Sequence, residues 1–222
     1  KRVIVSPTPH TTREPQDTLL NYSLGGVEKE ILLIDTAGIR RNAKIKPGIE
    51  QAGVKKTIVV IERAQVVIFV VDSTQPLEVQ DKHLAGFLVE KGVGVVVAAN
   101  KWDLLERSDT KSGNELKATI HQTLPGIDFA PVLFISAANG HNVVKLLPLV
   151  LAANKNRNRM IDDEALEKLL PKMIKRHRPP RERGDTRHPV IRRIEQIGTA
   201  PPRFVVLIGP KQSLHESYLR FV

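Results

Sequence analysis

Asn100-Lys101-Trp102-Asp103 is the stretch of this chain with the sharpest chemical content, and it directly follows the apolar run Gly94-Val95-Val96-Val97-Ala98-Ala99. A carboxylate at Asp103 can accept two hydrogen bonds from the N1–H and exocyclic amine of guanine. Adenine offers the wrong donor pattern and would leave buried polar groups unpaired, which argues against an adenine-specific ATPase. The Lys101 stem can cover a flat base while its ammonium stays in water. Asn100 can tie neighbouring loops together. A second set, Asp35-Thr36-Ala37-Gly38, also ends an apolar run. An aspartate there can orient a magnesium-bound water, and the glycine lets a backbone N–H approach a terminal phosphate. A third set, Ser136-Ala137-Ala138-Asn139-Gly140, follows Val132-Leu133-Phe134-Ile135. One of its amides can meet the guanine carbonyl oxygen, with Ser136 bracing the turn. DxxG alone recurs by chance in many chains. NKxD directly after a hydrophobic strand is far more specific, and the order of all three sets agrees.

These residues need strands that end together. Glu30-Ile31-Leu32-Leu33-Ile34 ends in Asp35, the run 64–71 ends in Asp72, the run 94–99 in Asn100 and the run 132–135 in Ser136. The runs are β-branched and nearly continuous rather than alternating, so they predict strands buried on both faces. Helix-length segments over 50–62, 78–91, 112–124 and 142–153 separate them. Strands alternating with helices predict an α/β domain with a mostly parallel sheet, whose ligands bind beyond the carboxyl ends of the strands. Thr18 to Gly26 and Val27 to Ile34 also have the pattern of a local hairpin.

The last third of the chain reads differently. Asp162 to Arg176 carries Ala165, Leu166, Leu169, Leu170, Met173 and Ile174 on one helical stripe, with Asp162 or Asp163 as its cap. Strands are expected around 190–197 and 203–208, and a helix begins near Leu214. Helix–strand–strand–helix order predicts a small α+β domain. The Asn-rich run 152–159 reads as a helix end and linker, so the domains are placed at 1–156 and 157–222.

Composition is that of a globular protein: 41% hydrophobic and 26% charged over 222 residues. There is no cysteine, which excludes disulfides and thiolate metal sites. No apolar stretch is long enough for a membrane span, and the start does not read as a signal peptide. A cytoplasmic, monomeric protein is the simplest expectation. The net charge of +10 is uneven. Residues 154–222 hold 16 basic and 8 acidic side chains, and the rest of the chain supplies only +2. That asymmetry points to a polyanionic partner such as nucleic acid, with a merely solvated basic surface as the alternative. Lys175, Arg176, Arg178, Arg181, Arg183, Arg192 and Arg193 are the candidates for a basic face.

Together these motifs resemble the Der (EngA) family of bacterial ribosome-assembly GTPases, which carry two tandem GTPase domains and a C-terminal KH-like domain. The resemblance rests on Thr11-Thr12-Arg13, on Asp35-Thr36-Ala37-Gly38-Ile39-Arg40-Arg41, on Asn100-Lys101-Trp102-Asp103, and on Ile197-Gly198-Thr199-Ala200-Pro201-Pro202-Arg203-Phe204 with Ser217-Tyr218-Leu219-Arg220. It spans nearly the whole chain and is closest to the second GTPase domain. It implies a P-loop-NTPase-like GTPase domain followed by a KH-like domain. It further implies a GTP/GDP switch that hydrolyses GTP with Mg2+, with K+ as an additional ion, and that binds the large ribosomal subunit and its rRNA. Thr12, Asp35 and Gly38 then take the catalytic roles, Thr12 and Asp35 the metal, and Asn100, Lys101, Asp103, Ser136, Ala137 and Ala138 the nucleotide. Ile39 stands where many small GTPases have a catalytic glutamine. The family is expected to rely on potassium and backbone positioning instead.

The chain departs from the family pattern at its front. It contains no GxxxxGK followed by Ser or Thr. In the family that phosphate loop, with the first strand and helix, precedes the point where these residues begin. The expectation is a piece lacking them, with another GTPase domain ahead and a KH-like domain truncated at its end. His10 replaces a usual Gly, Glu14 a usual Asp, and Ala138 an often longer residue. The alternative reading is a non-catalytic RNA- or ribosome-binding module with a vestigial nucleotide fold. Plainer roles compete with the chemical ones: a surface cap for Asp103, a strand-end turn for Asp35, packing for Trp102, and a structural role for Asp72.

Overall fold

A computed structural model describes residues 16–35, 59–105, 110–124, 126–181 and 187–219. The chain divides into two compact units, Lys1–Leu151 and Ala152–Val222. The expectations placed on Thr11, Thr12, Gly38, Ile39, Arg40 and Arg41 lie outside the described residues, as do His10 and Glu14.

The first unit opens with a hairpin. β1 (Gln16–Leu24) pairs antiparallel with β2 (Val27–Asp35) along its whole length, from Leu24 opposite Val27 to Gln16 opposite Asp35. Gly25 and Gly26 make the two-residue turn with φ of 60° and 80°. A turn of that kind needs positive φ at both positions, which glycine adopts without a Cβ clash. The local hairpin thus captures the run 30–34, which the sequence pattern assigned to a sheet buried on both faces. In the structure Leu19, Leu24, Val27, Leu32 and Leu33 of the hairpin are exposed.

The central sheet is parallel, in the order β3 (Val66–Asp72), β4 (Gly94–Asn100), β5 (Val132–Phe134). Helix α1 (Val79–Glu90) connects the first pair, and α2 (Thr110–Thr123) the second. α1 starts where the Asp81 carboxylate accepts the Glu78 N–H at 2.9 Å, which satisfies a donor the helix start would otherwise leave open. It ends before Gly92, whose φ of 60° lets the chain turn into β4. β4 is the strand truly buried on both faces, with Val95, Val96, Val97, Ala98 and Ala99 all at 2% exposure or less. Each such valine contributes about 2 kcal/mol by leaving water. Ala85 and Leu88 of α1, with Ile120, Leu124 and Ile127, pack against Phe69, Val71, Val95 and Val97. The apolar core therefore grips the middle of the strands and leaves their carboxyl ends for polar groups.

After β5 a short turn leads into α3 (Leu146–Arg157). The Asn-rich run expected as a linker continues this helix through Arg157. Lys155 and Arg157 suit its negative end, and the Asn158 amide donates to the Asn154 carbonyl at 2.8 Å. The division between the units falls inside this helix.

The second unit follows the expected order. α4 (Asp163–Arg176) is capped by Asp162, whose carboxylate accepts the Ala165 N–H at 2.7 Å. It runs through Pro171, which has no N–H to return to the carbonyl four residues back. β6 (Ile191–Gly198) and β7 (Arg203–Ile208) pair antiparallel, and α5 (Glu216–Leu219) follows. Leu170 packs with Ile191, Ile194 and Tyr218, and the Tyr218 hydroxyl donates to the His177 carbonyl at 3.0 Å. Gln196 is buried and answers three backbone groups: the Ile161 N–H, the Arg159 carbonyl and the Gly198 carbonyl.

Candidate functional site

Parallel register brings two of the three sequence sets together. Asp72 lies opposite Asn100 at the ends of β3 and β4, and Ala99 opposite Phe134 between β4 and β5. The backbone extends that order beyond the strands. The Ser73 N–H donates to the Asn100 carbonyl at 2.8 Å, the Ile135 N–H to the Ala99 carbonyl at 2.9 Å, and the Trp102 N–H to the Ile135 carbonyl at 3.1 Å.

Asn100 does what its position suggested. Its Oδ1 accepts the Ala137 N–H at 2.9 Å, which clamps the 100–103 loop to the 136–140 turn. That turn is closed on itself. Ser136 is fully buried and its hydroxyl oxygen accepts the Asn139 N–H at 3.3 Å. The Gly140 N–H donates to the Ser136 carbonyl, the Ser136 N–H to the His141 carbonyl, and the His141 N–H to Asn139 Oδ1. Ala137 and Ala138 stand exposed on the outside of it. With the Ala137 amide committed to Asn100, the described hydrogen bonds leave the Ala138 amide to meet an acceptor from outside.

Lys101 leaves β4 in the left-handed region, with φ of 64°. Trp102 then turns inward, 8% exposed, with its ring 4.4 Å from that of Phe134. It packs beneath the loop, as expected, rather than offering a face to a ligand. Asp103 follows in the short turn Trp102–Leu104 and is exposed. Asp103 and Ala138 are thus exposed residues on two loops that the Asn100–Ala137 bond joins.

The lysine is less free than the sequence suggested. Its ammonium does not simply stay in water: Nζ pairs with Asp72 Oδ2 at 2.6 Å. Asp72 Oδ1 meanwhile accepts the Thr74 N–H at 3.0 Å and its hydroxyl at 2.7 Å. Desolvation pushes the Asp72 carboxyl up. The hydrogen bonds from Lys101 and Thr74, with the lysine charge, outweigh it and hold the pKa down to about 2. Sequence reasoning left this aspartate out of the site. The readable signal was an aspartate ending the strand just before Ser73-Thr74, residue types that close a turn onto a carboxylate.

Asp35, expected at the phosphate and metal, is not joined to this surface by any described contact. It closes β2 opposite Gln16, in the separate hairpin sheet. Its side chain, Thr12 and Gly38 lie outside the described residues. Among the described residues no group of three or more His, Asp or Glu could hold a metal ion. No described helix is long and apolar enough to cross a membrane. In the second unit Lys175, Arg176, Arg178, Arg181 and Arg192 are exposed. Arg193 is not available in the same way, because it pairs with Asp163 at 2.9 Å and Glu195 at 3.0 Å. Arg183 lies outside the described residues.

Comparison with known proteins agrees with this layout. Residues 1–101 match the family model described as 50S ribosome-binding GTPase. Residues 161–222 match that described as the KH-domain-like C-terminal region of EngA bacterial GTPase enzymes. The whole chain aligns with the GTPase Der of Caldicellulosiruptor saccharolyticus at 37% identity, covering 49% of that protein. It aligns with that of Lachnoclostridium phytofermentans at 34%, covering 48%. The chain therefore spans about half the length of the curated relatives it matches. Among solved structures, Era in complex with MgGDPNP and nucleotides 1506–1542 of 16S ribosomal RNA is similar at 26% identity and a TM-score of 0.55. That match covers 68% of this chain and 47% of Era. A variant of Aquifex aeolicus Era bound to GDP and aluminium fluoride gives 26% and 0.57, covering 68% and 48%. The strand-end motifs, the two family models and the alignment of the whole chain to about half of each relative lead to one conclusion: the chain matches the Der/EngA GTPase family, in its GTPase part and in its KH-like C-terminal part.

Proposed function

We propose that this chain supplies the guanine-recognition half of a cytoplasmic GTP-hydrolysing switch that acts on the large ribosomal subunit through rRNA. Residues 1–156 form its GTPase domain and 157–222 its KH-like domain. The observation that carries the reading is the 2.9 Å bond from the Ala137 amide to Asn100 Oδ1. It joins the two base-facing loops into one surface, and a surface held together by the protein's own bonds lowers the ordering cost of binding. Asp103 then accepts from the guanine N1–H and amine, the exposed Ala138 amide donates to its carbonyl oxygen, and Lys101 covers the ring. These residues fit a guanine base, while the acceptor at Asp103 repels the adenine edge.

Thr12 and Asp35 would hold magnesium, and Gly38 would sense the terminal phosphate. Magnesium, when bound, neutralises charge on the phosphates during transfer to water. Potassium is part of the same proposal, since Ile39 has no polar atom to orient water. The similarity to Era, solved with MgGDPNP and 16S rRNA nucleotides, supports the nucleotide, the metal and rRNA as a class of partner, and the match to the 50S ribosome-binding GTPase model supports the large subunit.

The decisive variant is Asp103→Asn in the intact protein. GDP and GTP affinity should fall by roughly a hundredfold, and the corresponding xanthine nucleotides should bind better than to wild type. Unchanged affinity and unchanged base preference, measured by titration calorimetry, would overturn the guanine assignment. The RNA-binding module with a vestigial nucleotide fold would then be the better reading.

A further inference from the structure

We infer that Asp72 is a positioning residue for base recognition, tethering Lys101 so that the lysine stem lies across the carboxyl ends of β3 and β4. This rests on the guanine reading above and deepens it. The stem begins at the end of β4, and its ammonium reaches Asp72 at the end of β3, with 2.6 Å between Nζ and Oδ2. It therefore spans the mouth between two parallel strands, where the fold places its ligands.

The aspartate is itself held still. Asp72 lies in register with Asn100, and the Ser73 N–H donates to the Asn100 carbonyl at 2.8 Å. Two donors from Thr74 occupy Oδ1. That leaves Oδ2 as the oxygen turned towards the lysine. A purely structural aspartate closing its own turn accounts for the Oδ1 bonds and not for the Oδ2 contact. The asymmetry of exposure agrees: the Asp72 side chain is 17% exposed and that of Lys101 45%, so a nearly buried anchor holds a half-open stem.

The consequence is preorganisation. A free lysine loses rotamer freedom when it packs on a base, and a tethered one has already lost it. Without Asp72 the stem would still reach the base, but each binding event would have to order it.

The test is a double-mutant cycle on the intact protein, reading the release rate of a fluorescent GDP analogue. Wild type, Asp72→Asn, Lys101→Met and the double variant are compared, with unfolding midpoints recorded alongside. Asp72→Asn alone should speed release about fivefold. In the Lys101→Met background the same change should have less than a twofold effect, because its partner is gone. Unchanged release in Asp72→Asn, or an equal acceleration in both backgrounds, would overturn the tether. Should Asp72→Asn fail to fold, Thr74→Val goes through the same cycle, since it removes one of the two donors on Oδ1 while keeping the backbone donor and the carboxylate. About threefold faster release confined to the Lys101 background is then expected, and additivity again overturns the proposal. Wild-type protein is also titrated with GDP and ADP. Equal affinity for the two would refute the guanine reading beneath the inference, whereas guanine preference with additive variants refutes the tether alone.

Discussion

At the residue scale, the surface proposed for guanine is an arrangement of committed and uncommitted polar groups. Asn100 and Ser136 are committed to the loops, while Asp103 and the Ala138 amide face outwards. Asp72 belongs with the committed set, and its acidity makes that testable. Its folded pKa of about 2 lies below the ordinary 3.8. A depressed carboxylate pKa adds stability that is fully present above the unfolded value and disappears as pH falls through the folded one. The contribution of Asp72 should therefore be intact above about pH 4 and fade between pH 4 and 2. Urea midpoints measured across that window should fall less steeply for Asp72→Asn than for wild type. Parallel slopes would mean that the ion pair with Lys101 contributes nothing to folding. Asn100, Lys101, Asp103 and Ser136 stood out in the sequence as candidates because their types follow closely on hydrophobic strands. Asp72 did not, since its partner is 29 positions away and the two meet only through strand pairing.

At the element scale, local signals predicted most of the structure. The β-branched runs became β3, β4 and β5; of the stripe predicted for α4, Leu166 and Leu170 are buried and Met173 and Ile174 partly so, whereas Ala165 and Leu169 are exposed. Asp162 became the cap of α4, accepting the Ala165 N–H at 2.7 Å. Asp162→Ala should lower the stability of the second unit by about 1 kcal/mol. Hydrogen exchange should quicken at the Ala165 amide and leave the central-sheet amides unchanged. Equal protection in both proteins would show that α4 is held by packing alone. Two elements departed from their patterns for physical reasons. Helix α3 runs on to Arg157 because basic residues and an asparagine amide satisfy its end, so polarity there did not mean a linker. The run 30–34 left the buried-sheet pattern for the hairpin that residues 18–34 also predicted, because Gly25-Gly26 brings its partner strand next to it at little chain-entropy cost.

At the scale of the whole molecule, charge is divided as unevenly as fold. Residues 154–222 carry +8 of the net +10, and Arg192 stands exposed on β6. If this unit tracks RNA phosphates, Arg192→Ala should weaken binding to rRNA fragments about equally whatever their sequence. It should also reduce the salt dependence of log affinity by about 1. Filter-binding titrations from low to moderate salt measure both, and an unaltered slope would remove Arg192 from the interface. Arg193, one residue on, should matter less, because Asp163 and Glu195 already answer its charge. By itself the sequence determined the two-part organisation, the parallel α/β pattern, the guanine motif and the surplus of positive charge. Each of these is written in residue type and short-range spacing, to which backbone propensity and burial respond directly. The tertiary structure alone decided that Lys101 is tied to Asp72, that Asn100 clamps Ala137, and that Arg193 is neutralised. Those facts depend on which strands and helices lie side by side, and adjacency between distant segments is set by packing of the whole core rather than by any local pattern.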